Sequence, residues 1–337
     1  MFAEWVIEAY MRRRFQKLAG EIDDKAKDPG VSGDQIETMV REFMSERHRI
    51  HVSGITCAQS LEQFIKSAEK AHQLQGKPSG VATRWRQINR MTGGMQYGEQ
   101  TIIAARPSIG KTAIGMNIVH QACILDKVPT LVVSLEMTPA ALQRRLIADE
   151  ASVPISAIRD GACNEGDFKR IMAAQVKIRK APMWFIDGTN GISASKLAAE
   201  VMRFSSNFGI RLVVIDYLQK VLPDERHEKR TYEVASVSGK LRAAAVQSKV
   251  AMVTLAQLNR EAESDKGRKP RISDLADSGQ IERDADCIIM IHRERSGEDT
   301  HTTELIIGKQ RDGETGSAMV HFDGKFCRFS DTTHEVQ

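Results

Sequence analysis

The feature that most constrains this chain is a loop at residues 105–112 that lies between a run of β-branched residues and a helical stretch. The loop consists of Ala105, Arg106, Pro107, Ser108, Ile109, Gly110, Lys111 and Thr112. A strand, a loop ending in Gly-Lys-Thr and a helix in this order form a cradle for phosphate groups. Backbone N–H groups bind phosphate oxygens, Lys111 reaches the β- and γ-phosphates, and Thr112 offers its hydroxyl to Mg²⁺. Ala105 replaces the usual first glycine, so we expect it to have a negative φ.

Short apolar runs alternate with helical stretches from Trp85 onward. The runs are continuously apolar, as expected of strands that are buried on both faces. We predict strands at residues 101–104, 130–133, 183–186, 211–215 and 250–255. The helical pattern stops after Cys287, and residues 287–291, 303–307 and 318–322 predict edge strands or hairpins. The alternation predicts an α/β fold with a mostly parallel sheet.

The N-terminal part has a different pattern. Residues 1–52 carry two apolar helical stripes separated by Asp28-Pro29-Gly30, which predicts a helical hairpin that packs on a partner or a second copy. Residues 53–79 predict a linker helix, which begins at a capping box formed by Thr56 and Gln59. This helix either folds back on its own domain or docks on a neighbouring subunit. Residues 80–330 then form the main domain, and residues 331–337 a tail.

Three polar residues follow predicted strands, where the ligand crevice of such a sheet lies. Asp216 ends the run 212–216 in Walker B form and is predicted to bind Mg²⁺ beside Thr112. Glu136 follows the second strand and is a candidate for activating water, with the first turn of the next helix as the alternative reading. Gln257 ends the fifth strand and is a candidate sensor of the γ-phosphate, although polar residues are common at strand ends.

Composition excludes several classes of protein. The 48 basic and 44 acidic residues leave a net charge of +4, so any nucleic-acid surface must be local. The five cysteines lack CxxC spacing, which argues against a zinc site or a disulfide framework. No window approaches the about 18 apolar residues of a membrane span, and no signal peptide is visible. We expect a soluble, intracellular protein.

The order of these motifs resembles the DnaB-type replicative helicases, over about residues 80–325. The segments that carry the resemblance are Met91-Thr92-Gly93-Gly94, residues 104–112, Ser134-Leu135-Glu136-Met137, Ile215-Asp216-Tyr217-Leu218-Gln219, Gln257-Leu258-Asn259-Arg260, Ile281-Glu282-Arg283-Asp284-Ala285-Asp286 and Lys309-Gln310-Arg311. The resemblance implies a RecA-like P-loop NTPase core in a hexameric ring. It further implies an ATP-dependent DNA helicase that uses Mg²⁺ and moves 5′ to 3′ on single-stranded DNA.

The resemblance also implies roles for individual residues. Lys111 and Thr112 become phosphate and magnesium ligands, Glu136 the general base, Asp216 the Walker B carboxylate and Gln257 the γ-phosphate sensor. Arg145 is similar to the family's arginine that acts in cis. Lys309 and Arg311 resemble the finger pair that enters a neighbour's nucleotide site; the alternative reading is that, on a late strand, they simply share one solvated face.

Two basic segments, residues 220–230 and 260–271, are predicted to contact DNA. Ala276-Asp277-Ser278-Gly279 stands where family members usually have Arg-Glu-Ser-Gly, which removes a phosphate contact. Residues 1–50 resemble only the last hairpin of the family's N-terminal collar domain, so primase docking is left open. A helicase loader is a further implied partner, in the cytoplasm of a bacterial cell, with a phage or prophage gene as one source. Two other functions stay open: an ATPase that switches assembly without unwinding, and a non-enzymatic homologue that modulates a full-length ring.

Overall fold

The computed structural model describes residues 2–50, 54–226, 230–259, 268–275, 278–294 and 301–332. In chain order the helices are α1 (Phe2–Ala26), α2 (Gly33–Ile50), α3 (Cys57–Gln73), α4 (Arg86–Thr92), α5 (Lys111–Val119), α6 (Pro139–Ala151), α7 (Ile155–Asp160), α8 (Glu165–Arg179), α9 (Ala194–Phe208), α10 (Arg230–Ser248) and α11 (Ser278–Asp284). The strands are β1 (Gln100–Ala105), β2 (Thr130–Ser134), β3 (Met183–Asp187), β4 (Leu212–Asp216), β5 (Ala251–Gln257), β6 (Cys287–His292), β7 (Thr302–Gln310), β8 (Gly316–Asp323) and β9 (Arg328–Asp331). The described residues divide into two compact units, Met1–Lys70 and Ala71–Gln337.

The second unit is built on a nine-stranded sheet with the order β3-β2-β4-β5-β1-β6-β7-β8-β9. The pairs among β1 to β6 are parallel, and the pairs β6–β7, β7–β8 and β8–β9 are antiparallel. The expected α/β fold with a mostly parallel sheet is therefore confirmed. The long crossovers between parallel strands contain helices, and these helices cover both faces of the sheet.

Strand β1 shows why the sheet lies at the centre of the domain. All six of its residues are buried, and alternate side chains enter different cores. Ile103 and Ala105 belong to one buried cluster with residues of α5, whereas Ile102 and Ala104 belong to another with residues of α9 and α10. A strand that is apolar on both faces cannot be left at the surface, so the helices pack on each side.

The C-terminal part of the sheet differs from the prediction of edge strands. Strand β6 lies inside the sheet, because it pairs in parallel with β1 through the register Thr101↔Cys287. It then pairs on its other side with β7, so the predicted hairpin is present although β6 is not an edge strand. The edge strand on this side of the sheet is β9, which the sequence did not predict because Arg328–Asp331 contains only one large apolar residue.

The first unit contains the predicted helical hairpin. Helices α1 and α2 flank the Asp28-Pro29-Gly30 break, and the rings of Phe15 and Phe43 meet edge to face at 5.0 Å. Leu18 is buried, whereas Phe15 remains 41% exposed. The role of this hairpin as an interaction element stays a prediction.

Helix α3 begins with the predicted capping box. The backbone N–H of Gln59 donates to Oγ1 of Thr56 at 3.2 Å, and the backbone N–H of Thr56 donates to Oε1 of Gln59 at 2.9 Å. The apolar stripe of this helix is exposed, with 55% of Leu61, 66% of Phe64 and 47% of Ile65 accessible to solvent. No helix among the described residues is long and apolar enough to cross a membrane.

Candidate nucleotide site

The phosphate-binding loop follows β1 and leads into α5, as the sequence predicts. Ala105 is the last residue of the extended strand, which agrees with its expected negative φ. The left-handed conformation falls instead on Ser108, with φ 60°, and on Gly110, with φ 113°. A Cβ atom on Gly110 would lie 3.0 Å from Cζ of the buried Phe329, so glycine is required there by both backbone and packing. This conformation brings the start of α5, with Lys111 and Thr112, to the carboxyl edge of the sheet.

The two magnesium-binding candidates, Thr112 and Asp216, are in direct contact. The hydroxyl of Thr112 donates to Oδ2 of Asp216 at 2.6 Å, and Nζ of Lys111 lies 3.7 Å from Oδ1. Oδ1 is buried and accepts no hydrogen bond from the described residues. A hydroxyl and a carboxylate with an unsatisfied buried oxygen form a donor set of hard oxygen atoms, which suits Mg²⁺. The residues at this position therefore fit the metal that the motif implies.

The charges around Lys111 are closely coupled. Burial lowers the pKa of the Lys111 ammonium, while the nearby carboxylates of Asp216 and Glu136 act in the opposite direction. The ammonium also lies 3.4 Å from the centre of the Tyr217 ring, at cation–π distance. Burial raises the pKa of the Tyr217 hydroxyl, with smaller contributions from Glu136 and Asp216. Lys111, Asp216 and Glu136 therefore share one electrostatic site.

Glu136 lies in a turn fixed to the Walker B strand. Ser134 is the register partner of Asp216, and the backbone N–H of Leu135 donates to the carbonyl of Asp216 at 2.8 Å. The hydroxyl of Ser134 then donates to the carbonyl of Met137 at 2.5 Å, which closes the turn around Glu136. Helix α6 begins at Pro139, so the alternative reading, in which Glu136 belongs to its first turn, is wrong. The Glu136 side chain is exposed at the carboxyl edge.

Gln257 is held by a residue to which the sequence assigned no role. The side-chain amide of Gln219 donates to the carbonyl of Gln257 at 3.1 Å and accepts from its backbone N–H at 3.2 Å. The carbonyl of Gln219 also accepts a hydrogen bond from Arg230 at 2.6 Å, at the start of α10. Gln219 therefore connects the candidate sensor with the segment 220–230. The sequence signal that could have identified Gln219 is its place at the end of the motif Ile215-Asp216-Tyr217-Leu218-Gln219.

The cis arginine candidate and the finger candidates lie on different elements. Arg145 lies on α6, where Nη1 donates to the carbonyl of Ala141 at 3.2 Å. Lys309 lies near the end of β7, and its ammonium donates to the carbonyls of Ala285, at 2.7 Å, and Glu282. Arg311 follows β7, and its Nη1 lies 2.8 Å from Oδ1 of Asp286. The roles of these three cations stay predictions.

The structure places Arg311 at the sheet edge opposite to the phosphate-binding loop. The carbonyl of Asp286 accepts from the backbone N–H of Arg311 at 2.9 Å, and the backbone N–H of Asp286 donates to the carbonyl of Gln100 at 3.0 Å. Gln100 is the first residue of β1, and the loop follows its last residue, Ala105. A strand rises about 3.3 Å per residue, so the two ends of β1 lie about 17 Å apart. One chain therefore does not bring Arg311 to its own Lys111.

The basic segments predicted to contact DNA are only partly described. Residues 227–229, 260–267 and 276–277 lie outside the described part of the chain, and with them the substituted position Ala276. Arg268 is paired with Asp274 at 2.8 Å, and Lys269 with Glu304 at 2.7 Å. These two cations are therefore balanced by carboxylates of the same chain.

The sheet, the loop and the Thr112–Asp216 pair define the class of this protein, which has a RecA-like P-loop NTPase core. Comparison with known proteins narrows this class. Residues 80–331 match the family model described as DnaB-like helicase C terminal domain. The chain belongs to the DnaB-like helicase family.

Curated relatives support this assignment. The replicative DNA helicase DnaB of Leifsonia xyli is 34% identical over 79% of this chain and 59% of its own length. The protein of the same name from Treponema pallidum is 33% identical over 96% of this chain and 73% of its own, and that from Haemophilus influenzae 31% over 99% and 74%. The chain thus spans between about three fifths and three quarters of the length of these relatives.

Two solved structures are similar to this one. One is described as an ATPase domain; it superposes with a TM-score of 0.75 at 29% identity, over 80% of this chain and 98% of that one. A structure described as a DnaB-like replicative helicase and its interactions with primase gives a TM-score of 0.80 at 27% identity, over 98% of this chain and 78% of that one. The expected RecA-like core is therefore confirmed.

Proposed function

We propose that this chain is the motor subunit of an ATP-dependent replicative DNA helicase, which assembles as a hexameric ring and moves 5′ to 3′ on single-stranded DNA. The observation that supports this most strongly is the division of the candidate catalytic residues between two edges of one sheet. Lys111, Thr112, Glu136 and Asp216 lie at the carboxyl edge. Arg311 lies at the amino edge.

A divided set of residues is expected of a site shared by two subunits. A positive charge supplied by a neighbour stabilises the charge that develops on the transferred phosphoryl group and contributes a roughly 10³–10⁵-fold rate increase. Arg311 cannot serve its own loop, because β1 separates the two. It is suitably placed to serve the nucleotide of an adjacent copy, with Lys309 beside it. A closed ring gives every site such a neighbour.

In the proposed reaction, ATP binds with its phosphates on residues 105–112 and on the start of α5. Lys111 holds the β- and γ-phosphates, and Thr112 and Asp216 are the residues that would hold Mg²⁺, which supplies charge neutralisation when bound. Glu136 accepts a proton from the attacking water, and Gln257 contacts the γ-phosphate. Arg145 completes the set from within the same chain.

Assembly of the ring is proposed to use the exposed face of α3. A second exposed apolar stripe lies on α8, where Phe168, Met172 and Val176 are each more than half exposed. These residues follow one another at helical spacing and form a continuous face. Exposed apolar stripes of this kind are typical of interaction sites. We infer that α3 of one copy packs on α8 of the next, which buries both stripes.

This docking is tested by charge substitution on the two sides of α3. Phe64→Glu places a charge in the apolar stripe and is expected to shift the protein from hexamers to smaller species in analytical ultracentrifugation. Lys66→Glu introduces the same residue on the polar side and is expected to leave the hexamer intact. A hexamer that survives Phe64→Glu would contradict the docking.

DNA is proposed to contact the segments 220–230 and 260–271 in the centre of the ring. A helicase loader is a further proposed partner, and the proposed location is the cytoplasm of a bacterial cell. The similar solved helicase interacts with primase. We do not propose this interaction for the present chain.

The main rival is an ATPase that switches assembly and does not separate strands. Strand displacement on a forked duplex with a free 5′ single-stranded arm distinguishes the two. We expect displacement that requires ATP and Mg²⁺ and that is absent in Lys111→Ala. ATP hydrolysis by the wild-type protein without displacement would favour the switch. The non-enzymatic rival predicts no hydrolysis, which the presence of Lys111, Glu136, Asp216 and Arg311 argues against.

A further inference from the structure

Asp286 is a buried carboxylate at the amino end of the sheet. Only 3% of its side chain is exposed. It exchanges two hydrogen bonds with the first residue of β1: the backbone N–H of Gln100 donates to Oδ2 at 3.0 Å, and the backbone N–H of Asp286 donates to the carbonyl of Gln100 at 3.0 Å. One carboxylate oxygen and the backbone are therefore fixed to the centre of the sheet.

The other carboxylate oxygen binds two arginines. Oδ1 lies 2.8 Å from Nη1 of Arg311 and 3.0 Å from Nη2 of Arg242 on α10. The backbone N–H of Arg311 also donates to the carbonyl of Asp286 at 2.9 Å. Arg311 is thus held to Asp286 by its main chain and by its side chain. Its side chain is nevertheless 47% exposed.

This geometry orients a side chain that would otherwise be flexible. A guanidinium has five N–H donors in a planar fork, so the contact of Nη1 with Asp286 leaves donors for a second ligand on the exposed side. An exposed ion pair alone contributes little, but here one partner is immobile. Holding a catalytic group in place before the reaction lowers the entropic cost of the transition state.

We propose that Asp286 is the positioning residue for Arg311 and sets the direction in which its guanidinium enters the neighbouring nucleotide site. The proposal rests on the proposed function, in which Arg311 acts in trans. The competing explanation is structural, since Asp286 also balances Arg242 and pins Gln100. A shared site has two halves: the nucleotide-binding residues of one subunit and the Arg311 finger of its neighbour. The two explanations differ in which half is damaged when Asp286 is changed.

Mixing experiments with the full chain separate the halves of the site. The Asp286→Asn protein should have an intact nucleotide-binding half and a misdirected finger, with ATP hydrolysis reduced about 100-fold and ATP binding retained. Mixed with Glu136→Ala, which lacks the general base and keeps its finger, it should recover hydrolysis. Mixed with Arg311→Ala, it should recover none, because both proteins lack a working finger.

A structural role predicts a different pattern. If Asp286→Asn damages the fold, then ATP binding falls and mixing with Glu136→Ala restores nothing, which would overturn the proposal. The matched control is Arg242→Gln, which removes the second arginine from the same carboxylate and should lower hydrolysis less than about threefold. A loss in Arg242→Gln as large as that in Asp286→Asn would also overturn it.

The reference mixture is Glu136→Ala with Arg311→Ala. If this mixture recovers no hydrolysis, the sites are not shared and the proposed function itself fails, which is distinct from a failure confined to Asp286. Should Asp286→Asn not fold, Asp286→Glu provides the second variant, because it keeps the charge and displaces Arg311 by one methylene. The same mixing pattern is expected for it, and recovery when it is mixed with Arg311→Ala would contradict the positioning role.

Discussion

The hydroxyl of Thr112 donates to Oδ2 of Asp216 at 2.6 Å, across 104 positions of sequence. This contact joins the first turn of α5 to the end of β4, and it leaves Oδ1 of Asp216 buried without a hydrogen-bond donor among the described residues. The two side chains that would hold Mg²⁺ are therefore already adjacent.

Replacing Thr112 with valine tests the metal site. Valine has nearly the same shape and lacks the hydroxyl, so we expect hydrolysis to fall about 100-fold or more, since metal stabilisation of charge contributes several kcal/mol. The measurement is the hydrolysis rate against Mg²⁺ concentration. Thr112→Ser keeps the hydroxyl and should retain most activity. An unchanged Mg²⁺ dependence in Thr112→Val would rule out Thr112 as a ligand.

Gln219 is expected to act through Gln257. In Gln219→Ala the two hydrogen bonds to the backbone of Gln257 are lost, and we expect kcat to fall about tenfold, the effect of about 1.4 kcal/mol, with KM for ATP nearly unchanged. The bond from Arg230 of α10 to the main-chain carbonyl of Gln219 is retained in this variant, so the loss should be the same with and without single-stranded DNA. Gln121→Ala is the control, since Gln121 lies on the π-helical turn His120–Leu125 and its amide donates to Asp126, the residue after the turn. A rise in KM alone would contradict a positioning role.

Gly110 should be intolerant of a side chain for two separable reasons. Gly110→Ala strains a residue with φ 113° and places Cβ 3.0 Å from Phe329, whereas Gly161→Ala strains a residue with φ 70° in open space. We expect both variants to lower the free energy of unfolding by about 1 kcal/mol or more. Only Gly110→Ala should also lose nucleotide affinity, as measured by fluorescent-nucleotide titration. Equal affinity in the two variants would show that the loop tolerates the added Cβ.

His120 makes the stability of the domain depend on pH. Arg84 can only donate, so Nδ1 of His120 accepts from it at 2.8 Å, and Nε2 carries the proton toward Glu150 at 2.7 Å. Burial lowers the pKa of His120, and the charge of Arg84 lowers it further, against the opposing effects of Asp149 and Glu150. The folded state therefore favours neutral His120, and the unfolded state binds the proton more readily.

The direction of this pH effect on stability follows from the difference between the pKa values of His120 in the folded and unfolded states. The contribution of His120 is fully present above its unfolded pKa of 6.5 and is lost as the pH falls below that value. In urea unfolding, this proton should lower the free energy of unfolding by at most about 1.4 kcal/mol for each pH unit below that value. His120→Gln should reduce the decrease between about pH 7.5 and about pH 5.5, whereas the exposed His72→Gln should not. An identical pH dependence in wild type and His120→Gln would contradict the assignment.

The sequence predicts the centre of the sheet well, because a strand buried on both faces must be apolar at every position. β1, β2, β4 and β5 therefore lie within one or two residues of their predicted bounds. The position of β6 beside β1 was not predictable from its composition, since an apolar run looks the same at an edge and inside a sheet. Strand β9 was missed because Phe329 is buried among polar neighbours whose partners, such as Asp149 for Arg328, are distant in sequence.

The residues of the candidate site also differ in whether the sequence predicts them. Lys111, Thr112 and Asp216 follow from local motifs, and their proximity follows from the rule that parallel strands end at one edge. The roles of Asp286 and Gln219 depend on contacts across 25 and 38 positions of sequence, which no local pattern specifies. The separation of Arg311 from its own loop depends on the antiparallel return of β7 along β6. That return can be seen only once the register is known.

Steady-state ATP hydrolysis against protein concentration, with and without circular single-stranded DNA, tests the central claim most directly. If each site is completed by Arg311 of a neighbour, the rate per subunit rises cooperatively with concentration and is stimulated by DNA. A rate per subunit that is independent of concentration and of DNA would contradict the shared-site ring motor.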